Sequence, residues 1–204
     1  PFLRGWFDDH AFLSANTDQF VEYLKKNLLP KNPSAVTEAE LKAWLDEPGI
    51  PAFAAKAQSR NFSSVDTARI AFASAGTVPS SQVIAEWSTQ EWVRFIDGLG
   101  ATQPLDKLAT LDKAFHFTGT PNGEIARRWY PLTIRSGYEQ ANVAAAAFIE
   151  RVGFRKLILP IYAELVKTPK GLELAKQAFE KAKPGYHPIT TASVQDMLAK
   201  AEAK

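Results

Sequence analysis

NGEIARRWYPLTIRSGYEQANVAAAAFIERVG, residues Asn122 to Gly153, carries two helical patterns back to back. In the first, Ile125, Trp129, Leu132 and Thr133 fall on one face, because residues three and four apart are neighbours on an α-helix. Pro131 should kink that helix by removing a backbone donor, and Gly137 should end it. The second pattern follows at once. Its small-residue run, Ala144 to Ala147, leaves room for a neighbouring helix to approach closely.

Working outward gives more of the same. Toward the N-terminus, Thr17 precedes "DQFVEYLKKNLL", in which Phe20, Val21, Leu24 and Leu28 recur at helical spacing, and "TEAELKAWL" begins with a capping box, Thr37 and Glu40. "DEPGIPAF" then interrupts the periodicity: Pro48, Gly49 and Pro51 impose a turn followed by extended chain, and a domain boundary is expected there. Beyond it, "SSVDTARIAFASAG" and "SQVIAEW" read as helices. Ser88 and Glu91 form another capping box before "TQEWVRFIDGLG", closed by Gly98 and Gly100, and Pro104 opens "LDKLATLDKAF". Toward the C-terminus come a helix around Pro160, then "KGLELAKQAFEKAK", then a last helix from Thr191, with "PGYHPIT" as an extended link. Consecutive helices joined by short turns, without strand-like alternation, predict an all-α fold of antiparallel helix pairs stacked in layers. With no strict repeat consensus, the expected form is an irregular α-α superhelix of the armadillo or HEAT kind.

The 204 residues suffice for one large domain, or one and a half, with a real core. A net charge of +2 creates no field for nucleic acid or an anionic membrane, and neither is expected as a partner. The absence of cysteine excludes a disulfide framework, thiolate chemistry and Cys-ligated zinc. No apolar run approaches the length of a transmembrane helix, and the compartment stays open between cytoplasm and bacterial periplasm. At the opening, "PFLRGWFDDHAF" sets Phe2, Leu3, Trp6 and Phe7 at helical spacing with no capping residue before them. The chain is therefore expected to enter that helix midway, its first residue a cut in a longer protein. Such helices should either pack through Trp6, Phe7 and Phe12 on the helical domain or be the least protected part of the chain.

Chemistry-bearing residues are sparse. His10, His116 and His187 lie in separate segments without a partner at metal-ligand spacing, which suits surface or capping roles. Asp8 and Asp9 point to different faces of a helix and read as solvated. Trp87, Trp92, Trp129 and Tyr162 fall at core spacing and read as packing anchors. One feature stands apart: in "IERVGFRKLILPIY" the cations Arg155 and Lys156 precede a helix that Pro160, tolerated only in a first turn, should start close to Leu157. Cations at the positive end of a helix suit a visiting anion. The other reading is a solvated basic pair.

Four segments together resemble a known family. "FLRGWFDDHAFLSANTDQFVEYL" is similar to the closing helices of the catalytic domain in aminopeptidase N-type zinc peptidases, and "WLDEPGIP" to the segment that leaves that domain. "NGEIARRWYPLTIRSGYEQA" with "VGFRKLILPIYAEL", and "YHPITTASVQDML", resemble the C-terminal helical domain of the leukotriene A(4) hydrolase and bacterial aminopeptidase subgroup. The resemblance implies that residues 1–52 end a catalytic domain and that 53–204 form the helical superhelix walling the substrate tunnel. It implies zinc in the parent enzyme, held by H-E-x-x-H and a downstream Glu, none of which lies in this chain, so no cofactor is expected here. The implied partners are the N-terminal and catalytic domains of the same protein and a short peptide substrate. The family's basic pair, spaced "G-R-x-K", receives the peptide's free carboxylate. Lys156 matches its lysine, whereas Phe154 stands in place of the arginine and Arg155 lies between them.

Two functions compete on these grounds: the noncatalytic C-terminal portion of a zinc aminopeptidase, with epoxide hydrolase activity by analogy alone, and an autonomous α-solenoid scaffold for protein interaction. A zinc site needs at least three placed ligands, so the isolated chain should neither retain zinc nor cleave aminoacyl substrates. Stoichiometric zinc after dialysis, or turnover above a buffer blank, would contradict this.

Overall fold

The structure, a computed structural model, describes residues 1–56 and 58–203, and these contain helices and no strands. They fall into two compact units, Pro1–Gln58 and Ser59–Lys204.

The first unit holds α1 (Phe2–Asp9), α2 (Thr17–Asn27) and α3 (Glu38–Leu45). Helix α2 begins one residue earlier than its Thr suggests: Asn16 is the cap, its side chain accepting from the Gln19 N–H while Gln19 reaches back to the Asn16 N–H. The Thr37 and Glu40 box forms as the sequence predicts. Trp6 packs edge-on against Phe20 and Tyr23, with the His10 ring stacked 3.7 Å away, and Asp9 accepts the Tyr23 hydroxyl at 2.8 Å rather than standing free. Only Leu24 is buried among the hydrophobic residues described in this unit, whereas Phe7 is 68% and Phe12 fully exposed.

The second unit is a different kind of object. It comprises α4 (Arg60–Ala75), α5 (Ser81–Ile84), α6 (Thr89–Asp97), α7 (Leu105–Phe115), α8 (Gly123–Ser136), α9 (Asn142–Arg151), α10 (Arg155–Leu165), α11 (Pro169–Ala182) and α12 (Pro188–Glu202). Helices pack on the next but one: α4 on α6, α6 on α8, α8 on α10 and α10 on α12 make one layer, and α9 on α11 belongs to a second. This is the layered superhelix that the periodicity predicts. The expected face of α8 is inward, with Trp129 and Thr133 wholly buried and Ile125 and Leu132 nearly so. The helix continues through Pro131 and stops at Gly137, whose φ of +76° is the left-handed cap that glycine adopts without strain. Small residues set the α9–α11 contact: Ala145 and Ala146 on one helix, Ala175, Ala178 and Ala182 on the other, are all buried.

Three further helix ends depart from the sequence reading. "SQVIAEW" yields a single turn, Ser81–Ile84. The last helix starts at Pro188, not Thr191, because His187 caps it by accepting the Ile189 N–H, and Pro188 fits the first helical position. Most of "PGYHPIT" is therefore not extended. The helix around Pro160 starts at Arg155, with Pro160 inside it. The missing proline N–H would have bonded the Lys156 carbonyl, four residues back, close enough to the helix start for the loss to be borne.

Six ion pairs of the second unit have similar separations, whereas Lys176–Glu202 and, in the first unit, Lys25–Glu38 are closer along the chain. Asp66–Arg94, Asp97–Arg128, Glu124–Lys156, Arg135–Glu164, Glu139–Lys170 and Glu150–Lys181 are separated by 28, 31, 32, 29, 31 and 31 residues. A structural repeat of two helices thus exists where no consensus marks it. Among the described residues no helix is long and apolar enough to cross a membrane.

Because local opening follows the density of buried apolar contacts, amides of residues 1–56 should exchange with solvent well before those of α8 and α10. Hydrogen exchange read by mass spectrometry tests this. Uniform protection from end to end would contradict it.

Candidate functional site

The two cations singled out in the sequence sit at the first two positions of α10, both exposed. Phe154 occupies the N-cap and offers no side-chain acceptor; its carbonyl is taken by the Leu157 and Ile158 N–H groups. The N–H groups of Arg155 and Lys156 therefore have no intrahelical acceptor. The start of α8 lies alongside. Gly123 faces the Leu157 side chain: a Cβ there would come within 2.6 Å of Leu157 Cδ1, which would have to shift. Asn122 caps α8 by accepting from the Glu124 and Ile125 N–H groups and donates to Thr89 Oγ1 at 2.9 Å, which ties the start of α8 to α6.

Glu124, at the second position of α8, is the residue that sequence reasoning missed. Its Oε1 accepts from Lys156 Nζ at 2.6 Å, and its Oε2 accepts from Arg128 at 2.8 Å with Arg127 at 3.5 Å. Arg128 also donates to Asp97 at 2.9 Å and to the Glu124 carbonyl at 3.0 Å. Lys156, Arg128 and Arg127 hold the Glu124 carboxyl well below the usual range, from 4.5 to about 2, the Lys156 bond contributing most. The Lys156 side chain remains 53% exposed in this pairing. Arg155 has no carboxylate partner among the described residues, and Phe154 turns outward, 62% exposed. The basic pair is thus neither a free anion site nor a pair of wholly solvated side chains: one member is held by an internal carboxylate and the other is open.

A second group of bonds steadies the turn before α10. Thr190, buried, donates to the Gly153 carbonyl at 3.3 Å, and the buried Tyr186 hydroxyl donates to the Ile149 carbonyl with Tyr162 beside it. "YHPIT" therefore contributes a helix cap and two clamps on the stretch between α9 and α10. The three histidines all lie at helix ends: His10 and His116 at C-terminal caps, His187 at an N-terminal one. Among the described residues no group of three His, Asp or Glu side chains is placed to hold a metal ion.

The depressed carboxyl has a measurable consequence. A group whose folded pKa lies below its unfolded value contributes stability that is present above the unfolded pKa and lost as pH falls through the folded one. Wild-type protein should lose urea resistance between about pH 4.5 and about pH 2 more steeply than Glu124→Gln, in which this carboxyl no longer titrates. Parallel pH profiles of the urea midpoint would contradict the Glu124–Lys156 pairing.

Comparison with known proteins agrees with this architecture. The family described as "Leukotriene A4 hydrolase, C-terminal" matches residues 87–198, which include both starts, of α8 and of α10. Among similar proteins, "Leucine aminopeptidase 2" of Lodderomyces elongisporus is 28% identical over 97% of this chain and 33% of its own length. "Leukotriene A-4 hydrolase" of Xenopus laevis is 23% identical over 93% of this chain and 32% of its own. The solved structure of native yeast LTA4 hydrolase superposes with a TM-score of 0.75 at 20% identity, covering 97% of this chain and 35% of that one, and shares the fold. The chain thus spans about a third of the length of the relatives it matches. With more than half of its residues matched by the family, the chain belongs to the leukotriene A4 hydrolase C-terminal family.

Proposed function

We propose that the chain is the noncatalytic C-terminal portion of a zinc metallo-aminopeptidase for short peptides, walling the substrate tunnel and anchoring the substrate's free carboxylate. In this reading residues 1–52 complete a catalytic domain and 53–204 form the superhelix. The observation that carries the anchoring role is the uncapped start of α10, where two backbone N–H groups lack acceptors beside an exposed Lys156 ammonium. An anion placed there gains the helix N-terminus and a charge together. Phe154 in place of the family's arginine leaves recognition to a point charge instead of a bidentate fork. Arg155, without a carboxylate partner among the described residues, is the neighbour in the chain that would assist.

The partners implied are the N-terminal and catalytic domains of the same protein. The poverty of core in the first unit supports this, since Leu3, Phe7, Trp44 and Ile50 are all more than half exposed. Apolar side chains left in water forgo about 25 cal/mol per Å² that burial against a partner would return.

In the protein that carries this chain, Lys156→Ala should lower kcat/KM for free-acid tripeptides about tenfold to a hundredfold, the loss of a charge-assisted bond of about 1.5–3 kcal/mol. The corresponding peptide amides should lose far less. Arg155→Ala, tested beside it, shows whether that residue substitutes for the missing arginine. An equal effect of Lys156→Ala on acids and amides would refute the carboxylate assignment, and an absence of aminopeptidase activity in the whole protein would favour the scaffold.

A further inference from the structure

Lys156 is not left to wander at the surface. Its ammonium is the last member of a chain of charges that begins on α6 with Asp97, passes to Arg128 on α8, then to Glu124, and ends on α10. We propose that Glu124 is a positioning residue for carboxylate recognition, which holds the Lys156 ammonium in place before a peptide arrives. The inference rests on the anchoring role of Lys156 given above.

Two properties of the cluster suit Glu124 to this task. Its carboxylate is itself fixed, because Oε2 is occupied by Arg128 and approached by Arg127, while Asn122 caps its backbone N–H. Its other oxygen takes one of the three ammonium donors and leaves the rest, on a side chain still 53% exposed, for a second acceptor. A flexible lysine loses much rotamer freedom when it binds an anion, and holding it beforehand removes part of that cost. The opposite effect, repulsion of the incoming carboxylate by Glu124, is offset by the cations around it. Lys156, Arg128 and Arg127 outnumber Glu124 and Asp97 three to two, and Arg155 adds a further positive charge nearby.

The test uses the whole protein and pairs of tripeptides that differ only in a free or amidated C-terminus. Glu124→Ala should raise the acid-to-amide ratio of KM roughly threefold to tenfold, the range expected when one ordered side chain loses its support. Glu124→Gln, which keeps the length and an acceptor oxygen for Lys156, should recover part of that loss. It also carries the test if the alanine variant does not fold. A rise in KM that is equal for acids and amides would make Glu124 merely structural, and a fall in KM for acids would make it a competitor of the substrate. Either result overturns the proposal. If Lys156→Ala discriminates acid from amide while Glu124→Ala does not, positioning alone fails. If neither discriminates, the anchoring role of Lys156 fails with it.

Discussion

The close approach of α8 and α10 at Gly123 is the constraint on which the site depends. Gly123 faces the Leu157 side chain there, and a Cβ would come within 2.6 Å of Leu157 Cδ1, so glycine leaves that methyl where it packs. Two positive helix ends and the cations of both helices share a small region, which favours a carboxylate between them. Glu124 supplies it from within. Exposed ion pairs contribute only about 0–1 kcal/mol each, so this cluster does not hold the layers together. The buried face of α8 does that, led by Trp129, whose Nε1 donates to Thr118 at 3.0 Å so that no polar atom of that side chain is wasted in the core.

Much of the architecture was legible because amphipathic periodicity and capping chemistry are local. Thr37 with Glu40, Ser88 with Glu91, and Gly137 all act within a turn of their own position, and each does what its residue type implies. The departures occur where a second local signal competed with the first. Asn16 displaced Thr17 as a cap because Gln19 completes the box with the earlier residue. Pro160 points to a start near Leu157, yet α10 begins at Arg155, because the proline is borne a turn further in, where only the Lys156 carbonyl loses a partner.

The site divides along the same line. Arg155 and Lys156 were visible as a pair at a helix start, because adjacency in the chain suffices to see them. Glu124 lies 32 residues earlier, and its pairing requires knowing that α8 is the neighbour of α10. The segment that contains it, "NGEIARRW", showed only a polar face opposite Ile125 and Trp129. Likewise "YHPIT" marked the family without disclosing that its Thr and Tyr clamp the turn preceding the cations.

The recurring separation of about 30 residues between paired charges has a kinetic meaning. A chain whose tertiary partners are never far along the sequence closes only short loops as it folds, and the entropy of closure grows slowly with their length. Packing of each helix on near neighbours in the chain lets structure nucleate at a helix pair and spread to those beside it. A superhelix of this kind can assemble progressively as it leaves the ribosome, each new helix finding its place on one already made.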